Sequence, residues 1–221
     1  MSLRMVKLIV IDGIDGSGKT TQIELLTQYL ASQGQALQTI SFPRYEDNIY
    51  GKLIKIYLEG EFGNINNVNP YLMALAFAGD RLLAKPLIES WLREGKVVIA
   101  NRYVSSSKAH LGANLPENQK EKFMEWIDKL EYQTNGLPKP DLTILLKVDP
   151  KSGQENVKEK HQPDMHEKDL SHEEKATKIY LELSKMEENW VVVNCMIGDK
   201  MRPKEDIQGD ITSIPNLTNE H

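Results

Sequence analysis

The chain has 221 residues and carries 27 Lys and Arg against 32 Asp and Glu, a net charge of -5. That length suits one domain with an insertion, and the acidic balance argues against a nucleic-acid polyanion as main partner while leaving small anionic ligands open. A single cysteine, Cys195, excludes an internal disulfide framework or a cysteine-ligated metal cluster; it reads as a core residue in a reducing, cytoplasmic compartment. No apolar run approaches the ~18 residues of a membrane span, and no charged-apolar-small leader opens the chain. Met5 reads as the native start, which makes residues 1–4 a cloning remnant, and Asn216-Leu217-Thr218 as a glycosylation acceptor left inert in that compartment.

The first predicted element is an apolar strand over 6–11, and it runs into Gly13-Ile14-Asp15-Gly16-Ser17-Gly18-Lys19-Thr20, which satisfies G-x-x-x-x-G-K-[ST] at every fixed position. This is a P-loop: glycines let successive backbone N–H groups converge on the phosphates of a nucleoside triphosphate, at the positive end of the following helix. Lys19 would reach the β- and γ-phosphates and the Thr20 hydroxyl the magnesium ion. A helix follows over about 19–33, a strand over 37–42, helices over 50–59 and 70–93, and a strand over 96–100. Beyond it the patterns predict a helix over 117–135, a strand over 142–148, helices over 150–160 and 172–187, a strand over 190–194 and a last helix over 204–214. Such alternation predicts an α/β, three-layer fold with a five-stranded parallel sheet flanked by helices. Ligands of such sheets sit beyond the carboxyl ends of the strands, where Gly13, Phe42 and Asn101 would all lie. Residues 151–171 are polar and dense in Lys, Glu and His, and read as a mobile lid. The end of the chain from Ile214 is expected to fray.

Arginine is scarce, so its placement is informative. Arg44 closes Phe42-Pro43-Arg44-Tyr45 just after the second strand, and Arg102 sits in Asn101-Arg102-Tyr103 just after the third. Guanidinium forks there suit phosphate. Phe77 and Arg81 share one face of the long helix at i, i+4, so an aromatic plate stands beside a planar donor. An arginine can only donate, and therefore prefers the keto edge of thymine, uracil or guanine over the amine of cytosine. On helix spacing alone Phe77 could equally be core and Arg81 a surface charge.

In this order the pieces resemble a thymidylate kinase of the P-loop nucleoside monophosphate kinase group: Gly13 to Thr20 with Asp15 inside the loop, Phe42-Pro43-Arg44, Phe77 with Asp80-Arg81, Asn101-Arg102-Tyr103 followed by Ser106, and Leu137-Pro138-Lys139-Pro140-Asp141. The resemblance spans nearly the whole chain. It implies transfer of the ATP γ-phosphoryl group to dTMP, with Mg²⁺ as cofactor, in a homodimer that needs neither nucleic acid nor membrane. It assigns ATP to Gly13, Ile14, Asp15, Gly16, Ser17, Gly18, Lys19, Thr20 and Thr21, the metal to Thr20 and Asn101, and adenine to the loop near Cys195–Lys200. It assigns dTMP to Asp15, Phe42, Arg44, Phe77, Arg81, Arg102, Ser106, Ser107 and His110, with Asp15 on the sugar 3′-hydroxyl, Phe77 stacked on the base and Arg81 on its O4. Lys19, Arg102 and Asp15 form the catalytic set.

Three positions depart from the family's pattern. Asn101 stands where an aspartate helps to hold the hydrated metal, leaving Asp12 or Asp15 to compensate. Neither Gly16 nor the lid carries the arginine that relatives place at one or the other, so a lid cation, Lys151, Lys158, Lys160, His161 or Lys168, must serve, with Lys158 and Lys160 the preferred catalytic candidates. His110 replaces the aromatic ring that crowds the sugar C2′. Two alternatives stay open: a monophosphate kinase of broader or different nucleotide preference, and a catalytically weak nucleotide-binding protein.

Overall fold

The computed structural model describes residues 7–63, 67–160 and 169–217, with the side chains of 158–160 excepted. Five parallel strands, β1 (Leu8–Asp12), β2 (Leu37–Ser41), β3 (Val97–Asn101), β4 (Leu142–Lys147) and β5 (Trp190–Asn194), lie in the order β2-β3-β1-β4-β5. The predicted α/β architecture is the observed one. β1 is central and every residue of it is buried, which explains an unbroken apolar run rather than an alternating one. Leu8, Val10, Val98 and Ala100 face one core, while Ile9, Ile11, Val97 and Ile99 face the other. Edge strands β2 and β5 are each buried at only one of five positions.

The helices are α1 (Lys19–Ser32), α2 (Ile49–Leu58), α3 (Pro70–Arg93), α4 (Val104–Gly112), α5 (Glu117–Asp128), α6 (Pro150–Lys160), α7 (Leu170–Met186) and α8 (Lys204–Thr212). Asn48, Asn69 and Asp169 cap α2, α3 and α7 through their side chains, and Pro70 fills the first position of α3, where its missing N–H costs nothing. Sequence periodicity missed α4, because its face Val104, Ala109 and Leu111 is interleaved with buried Ser106, Ser107 and Lys108 and the apolar stripe disappears. The predicted helix over 117–135 is also corrected: α5 ends at Asp128 and a π-helical turn continues through Lys129–Thr134. A short antiparallel hairpin, β6 (Met196–Ile197) with β7 (Lys200–Met201), was likewise unforeseen at two residues per arm.

Register joins the strand ends that carry the site. Ile11 pairs with Asn101, the Arg102 amide donates to the Ile11 carbonyl at 3.1 Å, and the Phe42 amide donates to the Asn101 carbonyl at 3.0 Å. The segments following β1, β2 and β3 therefore leave the sheet side by side.

Candidate active site

The P-loop wraps from β1 into α1, with Gly18 in the left-handed region as the residue before the helix. Lys19 is buried, and its ammonium donates to the carbonyls of Gly13 at 3.1 Å and Ile14 at 2.8 Å, 3.8 Å from Asp15 Oδ1. Burial, reinforced by the Arg102 charge, lowers its pKa to about 8 despite the opposing pull of Asp15. Thr20 is exposed and Thr21 half-buried, at the open end of the loop.

Arg102 is the hub on the other side. It is held at φ 63°, a left-handed backbone unusual for a residue with a Cβ and a mark of a functional position. Its guanidinium donates to Asp15 Oδ1, to the Gly13 carbonyl at 3.2 Å and to Ser106 Oγ at 3.1 Å, and lies 3.0 Å from His110 Nε2. Burial alone would raise the pKa of Asp15, but Arg102 and Lys19 override it and hold the carboxyl well below the usual range. Asp15 is therefore ionised between two cations.

A cleft opens beside this pair, enclosing about 660 Å³ when the solvent-filled space of its open mouth is included. Asp15, Phe42, Phe77, Arg81, Arg102, Ser106, Ser107 and His110 all line it, with Pro43, Tyr45, Leu58 and Leu111. Eight of the nine residues assigned to the monophosphate thus meet on one cavity. The ninth, Arg44, stands outside the lining: its backbone N–H and Nε donate to the two carboxylate oxygens of Asp80, each at 2.9 Å, and its guanidinium lies 6.0 Å from the Phe42 ring centre.

Arg81 is not a surface charge. Only 1% of it is exposed, and it donates to Glu131, to Ser107 Oγ at 2.7 Å and to the Tyr103 carbonyl at 3.2 Å. Glu131 sits in the π-helical turn, fifty positions away, and is itself 1% exposed. Nothing in the sequence marks it as a counter-ion, and the same holds for Asp80 as the holder of Arg44; only the fold shows both. A buried guanidinium needs such a partner, since removing one member of a buried pair leaves an uncompensated charge.

Asp12, expected from the sequence as a carboxylate that could compensate for the neutral Asn101, is engaged by hydroxyl donors. It accepts hydrogen bonds from Ser105 Oγ, from Ser106 Oγ at 2.7 Å and from Tyr180 Oη at 2.7 Å, so its oxygens are committed to anchoring α4 and α7 to β1. Asp15 is committed to Arg102 and Lys19. Asn101 Oδ1, in contrast, is buried without a hydrogen-bond partner. A neutral oxygen left open beside the P-loop suits a hydrated hard cation that binds through oxygen.

The start of α6 lies directly on the loop. Asn156 Nδ2 donates to the Gly16 carbonyl at 3.0 Å and Ser152 Oγ to the Asp199 carbonyl at 3.3 Å. A Cβ on Gly16 would stand 2.0 Å from the Gly153 carbonyl oxygen, and one on Gly153 would stand 2.7 Å from that of Asp15. Backbone meets backbone here, which gives a physical reason for glycine at both positions. The hairpin β6–β7 reaches the same place, since a Cβ on Gly18 would lie 3.8 Å from Met201 Cε. Cys195 is fully buried, and burial pushes its thiol up to about 12, in keeping with a core role. Lys151 is exposed, while the side chains of Lys158 and Lys160 and all of His161 and Lys168 lie outside the described residues.

Fold and loop together define a P-loop nucleotide-binding protein. A sequence model of the thymidylate kinase family matches residues 11–210. A thymidylate kinase of Mycobacterium tuberculosis is 34% identical over 183 residues, covering 80% of this chain and 85% of that one. A probable thymidylate kinase of Pyrobaculum aerophilum is 35% identical over 208 residues, covering 93% and 94%. Among solved structures, that of thymidylate kinase from Candida albicans superimposes with a TM-score of 0.77 at 24% identity, covering 95% of this chain and 91% of that one, and shares the fold. The chain belongs to the thymidylate kinase family.

Proposed function

We propose that this protein transfers the γ-phosphoryl group of ATP to dTMP, giving ADP and dTDP. The observation that carries the reading is the cleft beside the P-loop, where an aromatic face, a buried arginine and an arginine–aspartate pair line one cavity. Phe77 stacks on the base while Arg81, fixed by Glu131, presents a donor to a keto oxygen. Asp15 takes the sugar 3′-hydroxyl and Arg102 the acceptor phosphate, with Arg44 reinforcing it.

No protein nucleophile is required. The transferring group needs in-line positioning and stabilisation of charge on its equatorial oxygens. Lys19 leaves the Gly13 and Ile14 carbonyls for the β- and γ-phosphates, and Arg102 bridges acceptor and transferring phosphates. Bound Mg²⁺ neutralises phosphate charge, and Thr20 Oγ1 with the open Asn101 Oδ1 are the oxygens of this chain that would hold it. Residues 1–221 act as one unit in which the segment 151–171 serves as a lid that excludes water, with Lys158 or Lys160 supplying its cation.

The protein is proposed to be cytoplasmic and homodimeric. Among the described residues no helix is long and apolar enough to cross a membrane. Dimerisation draws support from the outward faces of packed helices α2 and α3, which expose Ile49, Leu53 and Ile56 and then Leu72, Leu75 and Leu83. Leu83→Glu should convert a dimer to monomer in sedimentation velocity; a wild-type profile that is already monomeric contradicts the assembly.

A coupled ADP-release assay over a panel of monophosphates tests the activity. Turnover should be highest with dTMP, lower with dUMP and lowest with dCMP, and turnover with none overturns the reading. Arg81→Leu combined with Glu131→Leu, which strands no buried charge, should flatten the preference across these three. An unchanged ranking removes the base-reading role of Arg81.

A further inference from the structure

A second set of ligating groups stands where α4 meets α7. His110, His172 and Glu173 each bring one ligand atom to within 4.8 Å of the others, the one such group among the described residues. The two imidazoles are stacked, with ring centres 5.7 Å apart. Glu173 is 2% exposed, and neither of its oxygens makes a well-formed hydrogen bond, the Asp15 backbone N–H approaching it without that geometry. Asp12 is occupied by three hydroxyls and Asp15 by Arg102, whereas the proposed phosphoryl-transfer scheme gives Glu173 no role.

We propose that His110, His172 and Glu173 form a binding site for one transition-metal dication of the zinc class, distinct from the magnesium that accompanies ATP. Two imidazoles and one carboxylate with an open fourth position are a donor set that such ions favour, whereas magnesium prefers oxygen alone. The outer partner is present as well: His172 Nδ1 lies 3.1 Å from Asn114 Oδ1. With Nδ1 donating to that oxygen, Nε2 keeps its lone pair, which is how a ligating imidazole is usually oriented. Arg102 and Lys19 only partly offset the burial of Glu173 and the neighbouring Asp15 charge, and a directly bound dication would give its carboxylate a contact that neither cation makes. His110 Nε2 now faces Arg102 at 3.0 Å, so ligation through that nitrogen replaces the guanidinium contact rather than adding to it.

Cobalt(II) titration of the tag-free, metal-stripped full chain, followed by visible absorption, tests the site. One equivalent should bind with the intense bands of a four- or five-coordinate nitrogen–oxygen site, and should survive a large excess of Mg²⁺. His172→Asn and Glu173→Gln should each weaken that binding by about 100-fold or more, as loss of a ligand exceeds the 10- to 100-fold of an outer partner. Thermal unfolding of the metal-free variants guards against misfolding: both should melt as cooperatively as the wild type without metal. A weak octahedral spectrum, displacement by Mg²⁺, or stoichiometric binding that persists in both well-folded variants overturns the proposal. Should either variant not fold, its retained partner and Asn114→Ala, expected to weaken binding about tenfold, give the same decision.

Discussion

The acceptor side and the donor side of the cleft are built on different electrostatic plans. On the acceptor side every arginine already has an anion: Arg44 is held by Asp80, Arg81 by Glu131 and Arg102 by Asp15. On the donor side Lys19 has carbonyls for close partners, and its nearest carboxylate is 3.8 Å away and shared with Arg102. The first plan fixes planar forks in position before any ligand arrives, so little ordering remains at binding. The second leaves a buried cation under-neutralised, which a triphosphate can satisfy. On the proposed function, recognition and catalysis are divided between a preformed wall and a loop that its ligand completes.

The sharpest break of this comparison is Lys19→Ala. Turnover should fall on the order of 10³-fold or more, about 4 kcal/mol of lost stabilisation, while denaturant unfolding stays near wild type. Near-normal turnover would contradict the donor role. Next comes Glu131→Ala, which strands Arg81 in the core. It should cost about 3–5 kcal/mol of unfolding free energy, read from the denaturant midpoint, and a loss under 1 kcal/mol would show that Arg81 does not depend on the pair. Asp80→Asn removes the anion that holds Arg44, whose guanidinium keeps partial contact with solvent. The acceptor KM should rise about tenfold, roughly 1.4 kcal/mol, with little change in the ATP KM; equal shifts in both would erase the division between the two sides. The smallest effect is expected from Gly153→Ala at the loop–helix contact. Its added carbon must displace backbone, at about 1 kcal/mol of stability and with faster hydrogen exchange in α6; unchanged exchange would mean that the helix sits elsewhere in solution.

Much of the frame was legible in the residues because buried parallel strands and glycine loops leave local marks. The five apolar runs became the five strands, and the P-loop appeared where its motif stood. Arg102, Phe77 and Arg81, singled out by position in the sequence, line one cavity in the fold. The counter-ions could not be read in the same way, since Glu131 and Asp80 meet their arginines through the fold and an acidic residue on a helix looks the same whether solvated or buried. Helix α4 was hidden for a related reason: buried Ser106, with Ser105, Lys108 and His110, serves Asp12, Asp128 and Arg102, and their polarity masks the period. Asp12 illustrates the same limit, because nothing local shows that three hydroxyl groups converge on it.

The most direct test of the preformed acceptor wall is calorimetric titration of the ATP-free protein with dTMP and dCMP. The account predicts that dTMP binds without ATP and at least about tenfold more tightly than dCMP, the worth of one well-placed donor on the base edge. Absence of dTMP binding until ATP is added, or equal affinity for the two pyrimidines, would contradict it.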